Sequence, residues 1–223
     1  CTLIHPLRRS QDDRQPPGST ELHAPWRSFN YVLGHPRLRI LALIAFTFAA
    51  AQNSTNAIFV TYVVEKVEMP LVVAGIAFST MQTTGMATRV FLGWLTDHLI
   101  SAVRLLGIIG LLIAITLSMM AFINPTWSTS AIFLFAALAG VFVTGWSGVY
   151  LAEIARIVPH DQVAVATGGT VFFSFLGAVI GPSLFSLIIA TTDGFSTAFL
   201  AMAASAGLAG IWVLIIHRRT ATK

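Results

Sequence analysis

The stretch Arg89-Val90-Phe91-Leu92-Gly93-Trp94-Leu95-Thr96-Asp97-His98 decides the fold. It closes an apolar run that begins near Pro70 and carries the first charges after it. An arginine inside such a run costs about 2.5–3.5 kcal/mol at a membrane helix centre, so it is kept in a polar interior and tends to mark function. A glycine follows four residues on and an aspartate four further, giving R-x-x-x-G-x-x-x-D where a hydrophobic segment meets a loop.

Outward from that stretch, the composition is that of a membrane protein. Of 223 residues, 56% are hydrophobic and only 10% charged, and the mean hydropathy is +0.80; globular domains carry about 25% charged residues. The apolar residues come in blocks long enough to cross a ~30 Å hydrocarbon core, which takes about 20 helical residues. None alternates polar and apolar as a barrel strand does. The fold class is therefore an all-α integral membrane bundle of six transmembrane helices. The net charge of +4 does not point to nucleic acid, because the basic residues flank hydrophobic segments, where they set topology. The single cysteine, Cys1, excludes an internal disulfide. The chain opens on it without an initiator Met or a signal peptide, and we read it as a trimmed chain or a fragment.

Residues 1–37 read as a cytoplasmic linker. Pro16-Pro17-Gly18-Ser19-Thr20 lies within it, and a short interfacial helix follows, where Trp26, Phe29, Tyr31 and Leu33 mix with arginines. The six-helix domain covers 38–217, with spans near 38–64, 70–95, 103–123, 130–152, 163–190 and 195–217, and 218–223 form a tail. All of the 13 basic residues except Lys66 and Arg89 fall on one side of this zigzag. Both termini and the Asp97 loop are thus expected to be cytoplasmic.

Spans one, two, four and five carry the polar groups: Gln52-Asn53-Ser54-Thr55-Asn56, then Gln82 and Arg89, then Trp146, Ser147 and Tyr150, then Thr167, Thr170 and Ser174. These spans are expected to look inward. Spans three and six read as nearly featureless and as facing lipid or supporting the rest. Small polar groups also serve as interhelical contacts worth about 0.6 kcal/mol each. In the fifth span, Gly177-x-x-x-Gly181-Pro182 permits either tight packing or a hinge.

These residues resemble the C-terminal half of a major facilitator superfamily transporter, a fold of twelve helices in two six-helix halves. Gly93-x-x-x-Asp97 with Arg89 ahead of it is similar to the family signature between the second and third helices of a half. Gly177-x-x-x-Gly181-Pro182 resembles a glycine-proline signature in a fifth helix. The resemblance covers residues 25–217 and implies that spans three and six are peripheral. The sequence departs from the signature after Asp97, where His98 follows and only Arg104 represents the usual basic cluster.

The resemblance implies secondary transport, by symport or antiport, of a small and anionic organic solute through alternating access in a cell inner membrane. The expected partners are the lipid bilayer, the solute and an N-terminal six-helix half, on the same chain or as a second subunit. No cofactor, no metal and no nucleic acid are expected. Candidate solute contacts are Arg89, Gln52, Asn53, Asn56, Gln82, Trp146 and Tyr150. Arg89 has two other fates: to snorkel to the interface, or to pair with Glu153 or Asp97. Gly93, Asp97, Glu153 and Arg156 form the expected gate, although Glu153 and Arg156 also suit each other as an i,i+3 pair. None of the nine acidic residues lies mid-span, so a proton carrier would sit in the other half. One rival is an intramembrane serine protease built on Gly145-Trp146-Ser147-Gly148, but His217, at the end of the sixth span, is poorly placed as its base. A channel subunit or a non-transporting scaffold is the other.

Overall fold

The structure, a computed structural model, describes residues 25–98, 101–192 and 194–221, apart from the side chains at 25, 97–98 and 217–221. The linker read at 1–24 and the basic groups of the tail lie outside it. Every described element is a helix: α1 (Pro25–Gly34), α2 (Pro36–Val67), α3 (Leu71–His98), α4 (Ala102–Met120), α5 (Thr129–Ala139), α6 (Ser147–Ile157), α7 (Val163–Thr192) and α8 (Phe195–Ala221). A π-helical turn, Gly140–Thr144, joins α5 to α6.

Local chemistry sets the boundaries. His35 is extended and its ring nitrogen lies 2.8 Å from the Tyr31 carbonyl, while proline opens α2 where no N–H is needed. At the other end of α2, Glu68 adopts a left-handed conformation (φ 56°) and Pro70 follows. Ser128 caps α5 by accepting the Ala131 N–H.

Among the described residues, five helical stretches are long and apolar enough to cross a membrane: Pro36–Val67, Ala102–Met120, Thr129–Ile157, His160–Thr192 and Phe195–Ile216. The remaining predicted span is α3, whose 28 residues make about 42 Å of helix. It falls short on apolarity because Ser79, Gln82, Thr83, Thr84, Thr88 and Arg89 dilute it. That is the composition of a helix with one face turned from lipid.

The first span packs most extensively on the fifth, the third on the sixth, and the second on the broken fourth. Exchanging first with fourth, second with fifth and third with sixth leaves this pairing unchanged, as two inverted three-helix repeats require. Glycines bring the pairs close. A Cβ placed on Gly177 would lie 2.1 Å from the Phe46 carbonyl oxygen, and one on Gly181 would lie 2.6 Å from Ala50. The spans that read as featureless have a seam of their own: a Cβ on Gly210 would meet the Gly107 carbonyl at 2.7 Å, and one on Gly110 would meet Gly210 at 2.9 Å.

At one end of the bundle the last carbonyls of α4 are covered from two neighbours. The Tyr62 hydroxyl donates to the Met120 carbonyl, and Ser196 donates to Ala121 at 2.7 Å. Tyr62 stands edge-on to Phe195 and Phe199, which close this end. At the opposite end α1 lies on α7, with Phe29 stacked 5.5 Å from Phe173. The fifth span is the least covered: 17% of its most apolar window is buried, against 50% for the first.

Contact geometry separates the glycines by experiment. Gly177→Val is expected to lower the melting temperature of the purified protein by several degrees, since it overpacks a helix seam. Gly93→Ala, whose added carbon meets nothing within 4 Å, is expected to leave the melting temperature unchanged.

Candidate functional site

The site is built on the break in the fourth span. The sequence reading treats 130–152 as one uninterrupted helix; the structure runs on to Ile157 and interrupts it with the π-helical turn and a turn at Gly145 and Trp146. A π-turn shifts the hydrogen-bond ladder by one residue and frees carbonyls that a regular helix would use. Side chains meet the backbone here. The Arg89 Nε donates to the Thr144 carbonyl at 3.1 Å and the Thr144 hydroxyl turns back to Gly140 at 2.7 Å, while the Thr84 hydroxyl of α3 lies 3.1 Å from the Ala137 carbonyl and 3.0 Å from the Thr80 and Met81 carbonyls of its own helix.

This fit needs glycine on both helices. A Cβ on Gly85 would lie 1.6 Å from the Thr144 hydroxyl, one on Gly140 1.9 Å from that of Thr84, and one on Gly148 2.6 Å from the Arg89 carbonyl. The signal for the break is legible afterwards as Gly140, Gly145 and Gly148, of which the last two also make up the serine-like motif.

Arg89 is exposed at its outer end. With Nε committed to Thr144, its two terminal nitrogens meet no acceptor among the described residues, and the guanidinium presents its end-on fork. Gln82, two turns earlier on the same side of α3, is exposed. No contact links it to the other candidates.

Two residues beyond Thr144, the Trp146 indole N–H donates to the Gln52 Oε1 at 2.9 Å. Trp146 is only 2% exposed, edge-on to Phe48 at 5.6 Å and to Tyr150 at 5.5 Å. The structure thus places Trp146 and Tyr150 in the packing between helices and leaves Gln52 half-buried. The Tyr150 hydroxyl lies beside Thr170 but outside hydrogen-bonding geometry, and the Thr170 proton goes to Ala166 at 2.8 Å. Asn53 spends its amide N–H on Ala49 at 2.9 Å, and the Asn56 Oδ1 is buried without a partner. Gln52, Trp146 and Tyr150 therefore form one cluster, which the Thr144–Trp146 stretch ties to Arg89.

Of the expected gate residues, Arg156 donates from Nη1 to the Thr96 carbonyl at 3.3 Å, at the partially negative end of α3. Glu153 feels two cations, Arg156 and Arg37. The sequence reading missed Arg37, whose position at the start of the first span meets Glu153 only through the tertiary fold. Asp97 follows Thr96 in the last turn of α3, and its side chain lies outside the described residues. Gly93 is half-buried, with open space where a Cβ would point. Gly177 and Gly181 serve the first-span seam, and Pro182 sits inside an unbroken α7.

Two open apolar grooves of about 570 and 620 Å3 flank the sixth span, near Trp212 and near Ile115, and no candidate solute contact lines either.

The family model described as Major Facilitator Superfamily matches residues 2–152, which take in the first three spans and most of the fourth. The chain belongs to the major facilitator superfamily. No curated protein matches it. Membership agrees with the helix signature at Arg89, Gly93 and Asp97, and makes this an integral membrane protein whose general function is membrane transport. Members of the superfamily are in general not enzymes.

Thr84→Val keeps the side-chain shape but removes a hydroxyl shared between Ala137 and the Thr80 and Met81 carbonyls of its own helix. It is expected to cost about 0.6–1 kcal/mol, read as a small drop in melting temperature of the detergent-solubilised protein.

Proposed function

We propose that these six helices form the C-terminal half of a secondary transporter for a small anionic organic solute. The observation that carries this reading is the arrangement of Arg89 and Gln52. The guanidinium is held at Nε and offers a free two-pronged fork, which matches a carboxylate bidentately. The Gln52 oxygen accepts from Trp146, which fixes the amide with its N–H groups turned away from the indole. Both side chains present donors, and a solute rich in acceptors satisfies them.

The solute would bind near the midplane between this half and an N-terminal half, on the same chain or as a second subunit. The exposed face of α3, with Gly75 and Gly93 meeting nothing within 4 Å, and the little-covered α7 supply the surface for that half. Both termini would be cytoplasmic, with Trp26, 74% exposed, seating α1 in the interface of the inner membrane. Rocking of the halves exposes the site alternately. Arg37, Glu153, Arg156 and the end of α3 at Thr96 and Asp97 form the inner gate. Arg156→Gln is then expected to raise labelling of a cysteine introduced at Gly93 by a membrane-impermeant maleimide. Labelling equal to that of the Arg156 protein would remove Arg156 from the gate.

A purely structural arginine also makes the Thr144 contact, and Arg89→Lys separates the two roles. Uptake of mono- and dicarboxylates, neutral solutes and cations is measured in proteoliposomes carrying the complete transporter. The proposal expects carboxylate uptake that Lys reduces by about tenfold or more, with folded protein unchanged, because Lys keeps the charge and loses the fork. Uptake restricted to neutral or cationic solutes and indifferent to Lys would overturn it.

A further inference from the structure

We infer that Trp146 is a positioning residue: without touching solute, it fixes the Gln52 amide with its oxygen turned to the indole, so that the N–H groups are what the amide turns toward the site. The inference rests on the transport reading above and adds to it how carboxylate is told from its neutral isostere.

A glutamine amide is ambiguous by nature, one end accepting and the other donating, and the two ends are nearly the same shape. A neighbour that is both donor and acceptor leaves the ambiguity in place. An indole N–H is a donor only, so the atom 2.9 Å from it is the amide oxygen. Rotation of the amide would set N–H against N–H and leave a buried indole proton without an acceptor, at the desolvation cost of an unpaired group. Trp146 is itself immobilised, being 2% exposed and edge-on to Phe48 and Tyr150. The Gln52 nitrogen meets no acceptor among the described residues, and its two protons are left for a solute.

The break in the fourth span makes this possible. Thr144, Gly145 and Trp146 are consecutive; the carbonyl of the first holds Arg89 and the indole of the last holds Gln52. One irregular stretch thus orients a donor on the second span and another on the first. A site so arranged rejects a carboxamide, whose NH2 end would face a donor, while a carboxylate accepts with either oxygen.

The test measures uptake of two isosteric pairs, benzoate with benzamide and succinate with succinamide, by the complete transporter in proteoliposomes. Trp146→Phe is expected to reduce the preference for carboxylate over carboxamide about tenfold, through KM and with maximal rate within about twofold, because the freed amide turns to suit either. Benzothienylalanine at 146, in which sulfur replaces the indole N–H, keeps the ring packing and is expected to give the same loss. In a Gln52→Leu background neither change at 146 should alter the preference further. A preference that survives at 146, or a loss that persists without Gln52, overturns this inference and leaves the anion reading standing. Absence of any carboxylate preference, together with indifference to Arg89→Lys, strikes the anion reading and this inference with it.

Discussion

Inside a bilayer a backbone carbonyl has no water to turn to, and this constraint organises the bundle. A regular helix meets it internally; the fourth span departs from that regularity at its π-turn, Gly140–Thr144. The second span answers it with the Arg89 Nε on the Thr144 carbonyl, and sets the Thr84 hydroxyl within 3.1 Å of Ala137. Its polarity, which takes it below the apolarity of the other spans, follows from that task as much as from any cavity. At the far end of the bundle Tyr62 and Ser196 cover the last carbonyls of α4 in the same way.

Donors reach carbonyls on a neighbouring helix only if the backbones come close, and close approach is what the glycines supply. Gly85 and Gly140 make the second-to-fourth seam, Gly177 and Gly181 the first-to-fifth, and Gly107, Gly110 and Gly210 the third-to-sixth. Lipid tails are as apolar as the side chains they replace, so association relies on such packing and on cross-helix hydrogen bonds. Gly93 belongs to a different set. Nothing among the described residues occupies the space beside it, and on the proposed reading that space belongs to the other half.

Much of this architecture is legible in the sequence, because long apolar blocks are a local property of the chain. The helix ends at Pro36, Glu68 and Ser128 fall two to four residues from the span limits read from the sequence, because capping is settled by local backbone geometry such as the left-handed Glu68. What escapes is whatever depends on which face of one helix meets which face of another. Trp146 and Tyr150 read as cavity lining because they are polar groups in a span, yet each is 2% exposed once Phe48 and the neighbouring helices are in place. Arg37 reads as a topology marker, and only the fold sets it near Glu153. The third and sixth spans read as featureless to a search for polar groups, although their glycines carry the seam. The π-turn leaves no mark beyond glycine spacing, since the donors that stabilise it lie on another helix.

Arg89 shows why the break and the site belong together. Placing an arginine at the centre of a span costs about 2.5–3.5 kcal/mol on insertion scales and less toward its ends, and one hydrogen bond to a charged group returns about 1.5–3 kcal/mol. The Thr144 carbonyl therefore offsets a large part of the cost, but it engages one of five N–H donors. The remaining four sit on the two terminal nitrogens and need water or an anion. On the proposed reading a polar compartment beside the second span supplies them. On that reading the same contact that makes the arginine tolerable leaves its terminal nitrogens turned to where a carboxylate would bind.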